Sequence, residues 1–422
     1  MSAVSCLSDK RVDVFNFNVD FSSPRKKIKS SERSIPSRES MHMAGSLQTY
    51  DCSSPVSVQQ KLLMQGLFGH YSPKTLHYRE PKKYAPDVRI QKLFWEVPQR
   101  SMIVLDAPGA IDDFYYNNLD WGQRFVFMNL DHISYAYDPE NGRRISFRHR
   151  DQGDNLSAIK GNPNGDRFAY GDSGSSLGVI DLSTGAMVYR KRNINGHPVH
   201  CIDWRNFNEL TVGTDGHIAH IDLRSGHISR TLETDIGEVC SLKWHVNQSM
   251  LATGNACSRV RIFDMAHDGP GSVFDYSHQS GGVKALQWNP SRHSLLMSGG
   301  GKEDHFLKIY DVFKQKLICE KLAGSQVCGA AWLDHHFFVV GLGWENNQIQ
   351  YWQYSHSKHS LQKVDEVDPK SGRVLDIAKD PLSSRFCSLA AETEQFHFWE
   401  PKSLAQKTTR TKFSEPFCLQ IR

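Results

Sequence analysis

The pentapeptide 171-GDSGS-175 has the composition of a serine nucleophile loop, a chemistry that needs a histidine base and a buried carboxylate within hydrogen-bond reach. It falls instead in a turn between two apolar runs, where glycine and aspartate are what a chain reversal requires. The run 299-GGGK-302 has the glycines and lysine of a phosphate cradle, yet Lys302 is followed by Glu303 and leads into a strand pattern, not a helix. Twenty histidines invite metal ligation. His217 and His220, however, straddle a strand and project to opposite faces, while His335 and His336 fall in a turn. The nine cysteines include no Cys-x-x-Cys pair, which argues against a thiolate zinc site and a disulfide framework; they read as reduced thiols. No carboxylate pair, nucleophile with base or phosphate cradle stands in the right context. The expectation is therefore a protein that is not an enzyme and has no resident metal or cofactor.

Composition narrows the class further. A chain of 422 residues, 39% hydrophobic and 23% charged, can bury a large core. Its net charge of +4 is too small to argue for nucleic acid as the main ligand. No apolar signal core opens the sequence and no run reaches membrane-spanning length, so a soluble protein of nucleus and cytoplasm is expected, without a membrane partner. The local charge imbalance lies in residues 21 to 38, where Arg25, Lys26, Lys27, Lys29, Arg33 and Arg38 face one acid, Glu32. Within it, 24-PRKKIK-29 reads as an importin ligand. Ser23, Ser54 and Ser72 each precede proline and are candidate phosphorylation sites, where an added phosphate would offset neighbouring cations.

The elements that could position a site emerge from a repeat. Residues 1–95 are rich in Ser, Pro and Lys with short apolar islands, the pattern of a disordered tail. Beyond it, short β-branched and aromatic runs alternate with Gly, Asp, Asn and Ser turns. A small-apolar run ending in tryptophan recurs at Trp121, Trp204, Trp244, Trp288 and Trp332, the last four spaced by 40, 44 and 44 residues. Two weaker copies, 156-LSAIKG-161 and 374-VLDIAK-379, carry Gly161 and Lys379 where tryptophan is expected. Each copy is followed by a second apolar strand, from 133-ISYAYD-138 to 396-FHFW-399. Seven units of this period predict an all-β fold, a seven-bladed WD-repeat β-propeller over residues 96–412, with residues 413–422 as a C-terminal tail.

The tail segment 32-ERSIPSR-38, the lead-in 104-VLDAPGAIDDFYYNNLDW-121, the repeats 238-EVCSLKW-244, 325-SQVCGAAW-332 and 346-NNQIQYW-352, and the closing Ile421-Arg422 together resemble the fizzy and fizzy-related family. Its members are substrate-recruiting coactivators of the anaphase-promoting complex, a ubiquitin ligase. The resemblance implies that Glu32, Arg33, Ile35, Pro36 and Arg38 dock on the ligase. Two guanidinium forks would flank an apolar anchor on a chain preorganised by proline, with Ser34 replacing the family's aromatic residue. It implies that Ile421 and Arg422 bind tetratricopeptide-repeat subunits, and that Lys61, Leu62 and Leu63 form a second docking island in which Met64 replaces an arginine. Partners would be ligase subunits and degron-bearing substrates such as cyclins.

The same resemblance implies two degron sites. For the destruction box, a groove between first and last blades would use the acids Asp120 and Glu394 with Tyr116, Asn118 and Leu119, where Tyr116 and Asn118 replace leucines. For the Lys-Glu-Asn motif, Asn346 and Arg373 match the family, whereas Ala256 and Ser258 replace asparagines and Lys302 a threonine, so this site is expected to be eroded. These departures point to a specialised meiotic or germline member, as in the insect cortex branch. The segment 74-KTLHYREP-81 only loosely matches a checkpoint-binding motif. The competing reading is a WD-repeat receptor or scaffold of another assembly, a cullin ligase or a chromatin complex.

Overall fold

Each of the seven repeats becomes one antiparallel sheet whose first strand lines a central channel and whose fourth lies outermost. The computed structural model describes residues 94–149, 154–266, 272–390 and 392–404. The docking segment at 32–38, the island at 61–63, the serines 23, 54 and 72 and the pair 421–422 lie outside the described residues, as do most of the expected tail and both residues beside the expected boundary at 412–413. Described β-structure begins with Phe94–Glu96, which pairs antiparallel with Lys402–Leu404.

Blade 1 comprises Leu119–Trp121, Val126–Leu130, Ile133–Asp138 and Arg143–Arg148, and blade 2 comprises Leu156–Gly161, Arg167–Asp172, Leu177–Asp181 and Met187–Lys191. Blades 3 and 4 share one long strand, His227–Trp244, whose first part is the outer strand of blade 3 and whose last part is the inner strand of blade 4. Blade 3 begins with Cys201–Trp204, Glu209–Gly213 and Asp215–Asp222; blade 4 continues with Met250–Asn255, Arg259–Asp264 and Ser272–Ser277. Blade 5 runs from Leu286–Trp288 to Lys316–Leu322 and blade 6 from Gln326–Trp332 to Ser360–Val367. Blade 7 takes Val374–Lys379, Phe386–Ala390 and Gln395–Trp399 from the last repeat and its outer strand, Ile103–Asp106, from the first residues of the propeller. That borrowed strand completes the four-stranded sheet of blade 7 and closes the ring.

The repeat residues have mechanical roles. The Trp204 indole donates to the carbonyl of Lys160 at 3.2 Å, and the Trp288 indole to that of Lys243 at 3.0 Å, each reaching the inner strand of the preceding blade. Gly161 stands in the tryptophan position for a steric reason: a Cβ there would meet Cε2 of Phe127 at 2.6 Å. Phe127 fills that volume and stacks on Phe168, 5.3 Å away, and burying such a side chain contributes about 1.5–3 kcal/mol. The aspartates that close the third strands organise the next turn. Asp181 accepts from the amide of Ser183 and Asp222 from that of Arg224, at 2.9 and 3.0 Å.

Candidate functional site

Strand direction alternates, so the turns between second and third strands and the connections from one blade to the next share one end of the ring, here called the upper face. The lead-in between blades 7 and 1 crosses this face. Asn117 pairs with the inner strand of blade 2 through its amide on the Ser157 carbonyl, 2.8 Å. Its side-chain amide donates to the carbonyls of His200 and Cys240, 2.8 and 2.9 Å, tying the inner strands of blades 3 and 4 together. Phe114 is buried, and Lys284 approaches its ring at 6.0 Å.

Residues one position before the repeat tryptophan face the channel: Asp120, Lys160, Asp203 and Lys243 in blades 1 to 4. The signs alternate. Lys160 places Nζ 2.5 Å from Asp120, while the Gly161 amide donates to the other carboxylate oxygen at 2.9 Å. Burial alone would lower the Lys160 pKa, but Asp120 and Asp203 outweigh it and hold the ammonium above its usual range. Burial raises Asp203, offset by Lys160 and Lys243, and it lowers Lys243, assisted by Lys160.

This geometry corrects the expected destruction-box groove. Asp120 is buried and both of its oxygens are engaged inside the channel. Leu119 is buried in the apolar seam of blades 7 and 1, and Asn118 is buried with its Oδ1 accepting from the Asn129 amide at 3.1 Å. Tyr116 is half-buried, and burial, then Asp113 and Glu238, raises its phenol. The bonds of Asn117 to blade 2 and of Asp120 to Lys160 turn this stretch toward the channel, whereas Leu119 packs with Phe396 in the blade 7–blade 1 cluster.

Glu394 does stand exposed on the upper face of blade 7, in the turn before Gln395–Trp399, with positive φ of 49°. Its Oε1 accepts from the Gly109 amide at 3.0 Å and its carbonyl from the Ala107 amide at 2.6 Å. Its carboxylate neighbour is one that sequence reasoning missed. Asp106, exposed at the end of the closing strand, pairs with Gln395, one residue from Glu394. Across Gly109, whose carbonyl accepts from the Asp131 amide at 2.9 Å, the Asp131 side chain is 60% exposed. Asp106 and Glu394 thus bring solvent-facing carboxylates to the upper end of the blade 7–blade 1 seam, an arrangement suited to a guanidinium or ammonium group, with Asp131 beside them already 3.1 Å from His132 Nε2.

The residues expected for the second degron site do share the upper face, spread over blades 4 to 7; Asn346 and Lys302 are turned to neighbours, while the buried Arg373 Nε has no hydrogen-bond partner among the described residues. Arg373 donates to Asp112 and stacks its stem on Gly343; Asn346 donates to the Gly324 carbonyl at 3.0 Å; Lys302 lies 3.5 Å from the centroid of the Trp344 ring. Ala256 and Ser258 flank Cys257 in the blade 4 turn, where the Ala256 amide donates to the Glu238 carbonyl. The 171–175 turn is structural: the buried Ser175 hydroxyl donates to the Ile194 carbonyl at 2.8 Å, and Asp172 accepts from the Ser176 amide.

The family profile described as "WD domain, G-beta repeat" matches residues 226–264, the shared strand and the next two strands of blade 4. The chain is 28% identical over 327 residues to WD repeat-containing protein srw1 of Schizosaccharomyces pombe, covering 76% of this chain and 57% of that protein, so the match spans little more than half of that relative. It is 30% identical over 336 residues to "Cell division cycle 20.5, cofactor of APC complex" of Arabidopsis thaliana, covering 76% of this chain and 73% of that one. Among solved structures, a chain of the "Crystal Structure of Mitotic Checkpoint Complex" superimposes with a TM-score of 0.68 at 28% identity, covering 72% of this chain and 96% of that chain. Propeller geometry, the borrowed closing strand and this extent of identity place the chain in the fizzy and fizzy-related family, to which the cell-division-cycle 20 cofactors belong.

Proposed function

We propose that this protein is a substrate-recruiting coactivator of the anaphase-promoting complex, a binding adaptor and not a catalyst. The observation that carries this reading is its 30% identity, over most of the propeller, with an Arabidopsis cofactor of that complex. Substrates dock on the upper face, with the basic residue of a destruction box received at the Asp106–Glu394 seam, where two exposed carboxylates from opposite ends of the propeller stand one register position apart with no ion-pair partner among the described residues. The Lys-Glu-Asn site is weak, because Ala256 and Ser258 stand where the resemblance expects asparagines, and Asn346 and Lys302 are turned to their own neighbours. Ligase docking falls to Arg33, Arg38 and Ile421-Arg422, two weak ligands on one chain that gain by effective concentration. The basic run 24-PRKKIK-29 supports nuclear import beside a cytoplasmic pool.

Affinity purification of the full chain from dividing cells tests the assignment. Anaphase-promoting complex subunits are expected in the eluate, reduced severalfold by Arg33→Ala with Arg38→Ala and further by deleting Ile421-Arg422. Recovery of a cullin or chromatin assembly without those subunits would overturn it.

A further inference from the structure

Blades 3 and 5 each join a histidine at the approach to the inner strand to an aspartate at the turn between second and third strands, and the two pairs differ in what surrounds them. In blade 5, His278 binds Asp304 through Nδ1 and the Ser298 hydroxyl through Nε2 at 2.8 Å, and both charged partners are fully buried. Every ring nitrogen is used, and nothing more can enter. In blade 3, His200 Nε2 lies 2.6 Å from Asp215 Oδ1, but the Asp215 side chain is 36% exposed and further donors converge on it. His197 Nδ1 stands 3.4 Å from the second oxygen of Asp215. Glu238, the ladder partner of Asp215, brings another carboxylate, and the ligand atoms of His200, Asp215 and Glu238 all lie within 4.8 Å of one another.

We propose that His200, Asp215 and Glu238 form a site for a divalent transition-metal ion of the zinc class, with the partly exposed His197, now beside Asp215, swinging in as the fourth donor. Two imidazoles and two carboxylates are a donor set that suits zinc, and tetrahedral ligation at about 2.0–2.2 Å separates neighbouring donor atoms by roughly 3.4 Å. The His200–Asp215 Oδ1 contact must open by less than about 1 Å, and the His197 ring, 3.4 Å from the other Asp215 oxygen, must turn toward the ion. Electrostatics favour a cation. Asp215 and Glu238 bring two carboxylates to one spot beside the His200 ring. The donors come from the connection into blade 3, the start of the third strand of blade 3 and the strand shared by blades 3 and 4, so a bound ion would pin three segments of the upper face.

The test uses full-length protein stripped with a chelator and titrated with Zn2+ by calorimetry, alongside visible spectra of the Co2+-loaded form. Saturable binding of one ion per chain is expected, with cobalt d–d bands free of thiolate charge-transfer absorption. Asp215→Asn with Glu238→Gln should weaken binding at least tenfold, and exposed His197→Ala alone severalfold, while Cys257→Ser, altering the thiol beside Gly237, leaves binding unchanged. Melting curves of stripped variants verify that they remain folded, and His197→Ala keeps the test decisive where the double variant does not. Absence of one-to-one binding, full affinity in the His197 or Asp215/Glu238 variants, or loss on removing Cys257 would overturn the proposal.

Discussion

Asp120 and Glu394 are both carboxylates at blade ends of the same ring, and they do opposite work. Asp120 is locked between the Lys160 ammonium and the Gly161 amide inside the channel, whereas Glu394 stands in solvent and, among the described residues, has one oxygen held by a backbone amide. A carboxylate already neutralised by a buried partner has little to give an incoming arginine; one held in place but unneutralised keeps its charge for a ligand. Residue type and repeat position are therefore insufficient to assign a recognition role. What decides is whether the counter-charge lies inside the fold or must arrive from outside.

That contrast can be broken by mutation. Asp120→Ala leaves Lys160 largely buried without its ion-pair partner, and removing one member of such a pair costs about 3 kcal/mol. A large fall in the urea midpoint is expected, and a change below about 1 kcal/mol would mean that water in the channel screens the pair. Gly161→Ala should cost about 1–3 kcal/mol by forcing a Cβ against Phe127, and Phe127→Leu in the same chain should recover part of the loss. Lack of recovery would place the strain elsewhere.

Acid should weaken the propeller more gently. Burial, with Arg230 and Arg205, lowers His220 to about 4, and burial with Arg190 lowers His149 to about 4. The unfolded chain, with histidine near 6.5, binds more protons between about pH 6.5 and 4, so stability is full above that window and falls as pH drops through it. Between pH 7.5 and 5.5 His220 alone should account for roughly 1 kcal/mol. His220→Gln should flatten the pH dependence of the melting temperature; an unchanged slope would assign it to other groups.

Much of the fold was legible because the tryptophan period is local: every run ending at Trp121, Gly161, Trp204, Trp244, Trp288, Trp332 or Lys379 is an inner strand. The third strands were equally readable from their apolar runs and closing aspartates. Ring closure was not. Nothing in the period reveals that Ile103–Asp106 completes the sheet of Gln395–Trp399, and without that register Asp106 cannot be placed beside Glu394. Asp120 misled because a channel-facing ion pair and a recognition acid have the same sequence appearance. The His197, His200, Asp215 and Glu238 cluster was hidden for a related reason: histidines judged by spacing along one strand miss ligands gathered from separate connections.

Calorimetric titration of the full-length protein with an arginine-containing destruction-box peptide tests the account most directly. Glu394→Ala and Asp106→Ala should leave the melting temperature almost unchanged, since both side chains are exposed. Together they should weaken peptide binding on the order of tenfold or more, because each charge-assisted contact contributes about 1.5–3 kcal/mol. A stable double variant that binds the peptide with wild-type affinity would contradict the assignment of the blade 7–blade 1 seam as the substrate-receiving site.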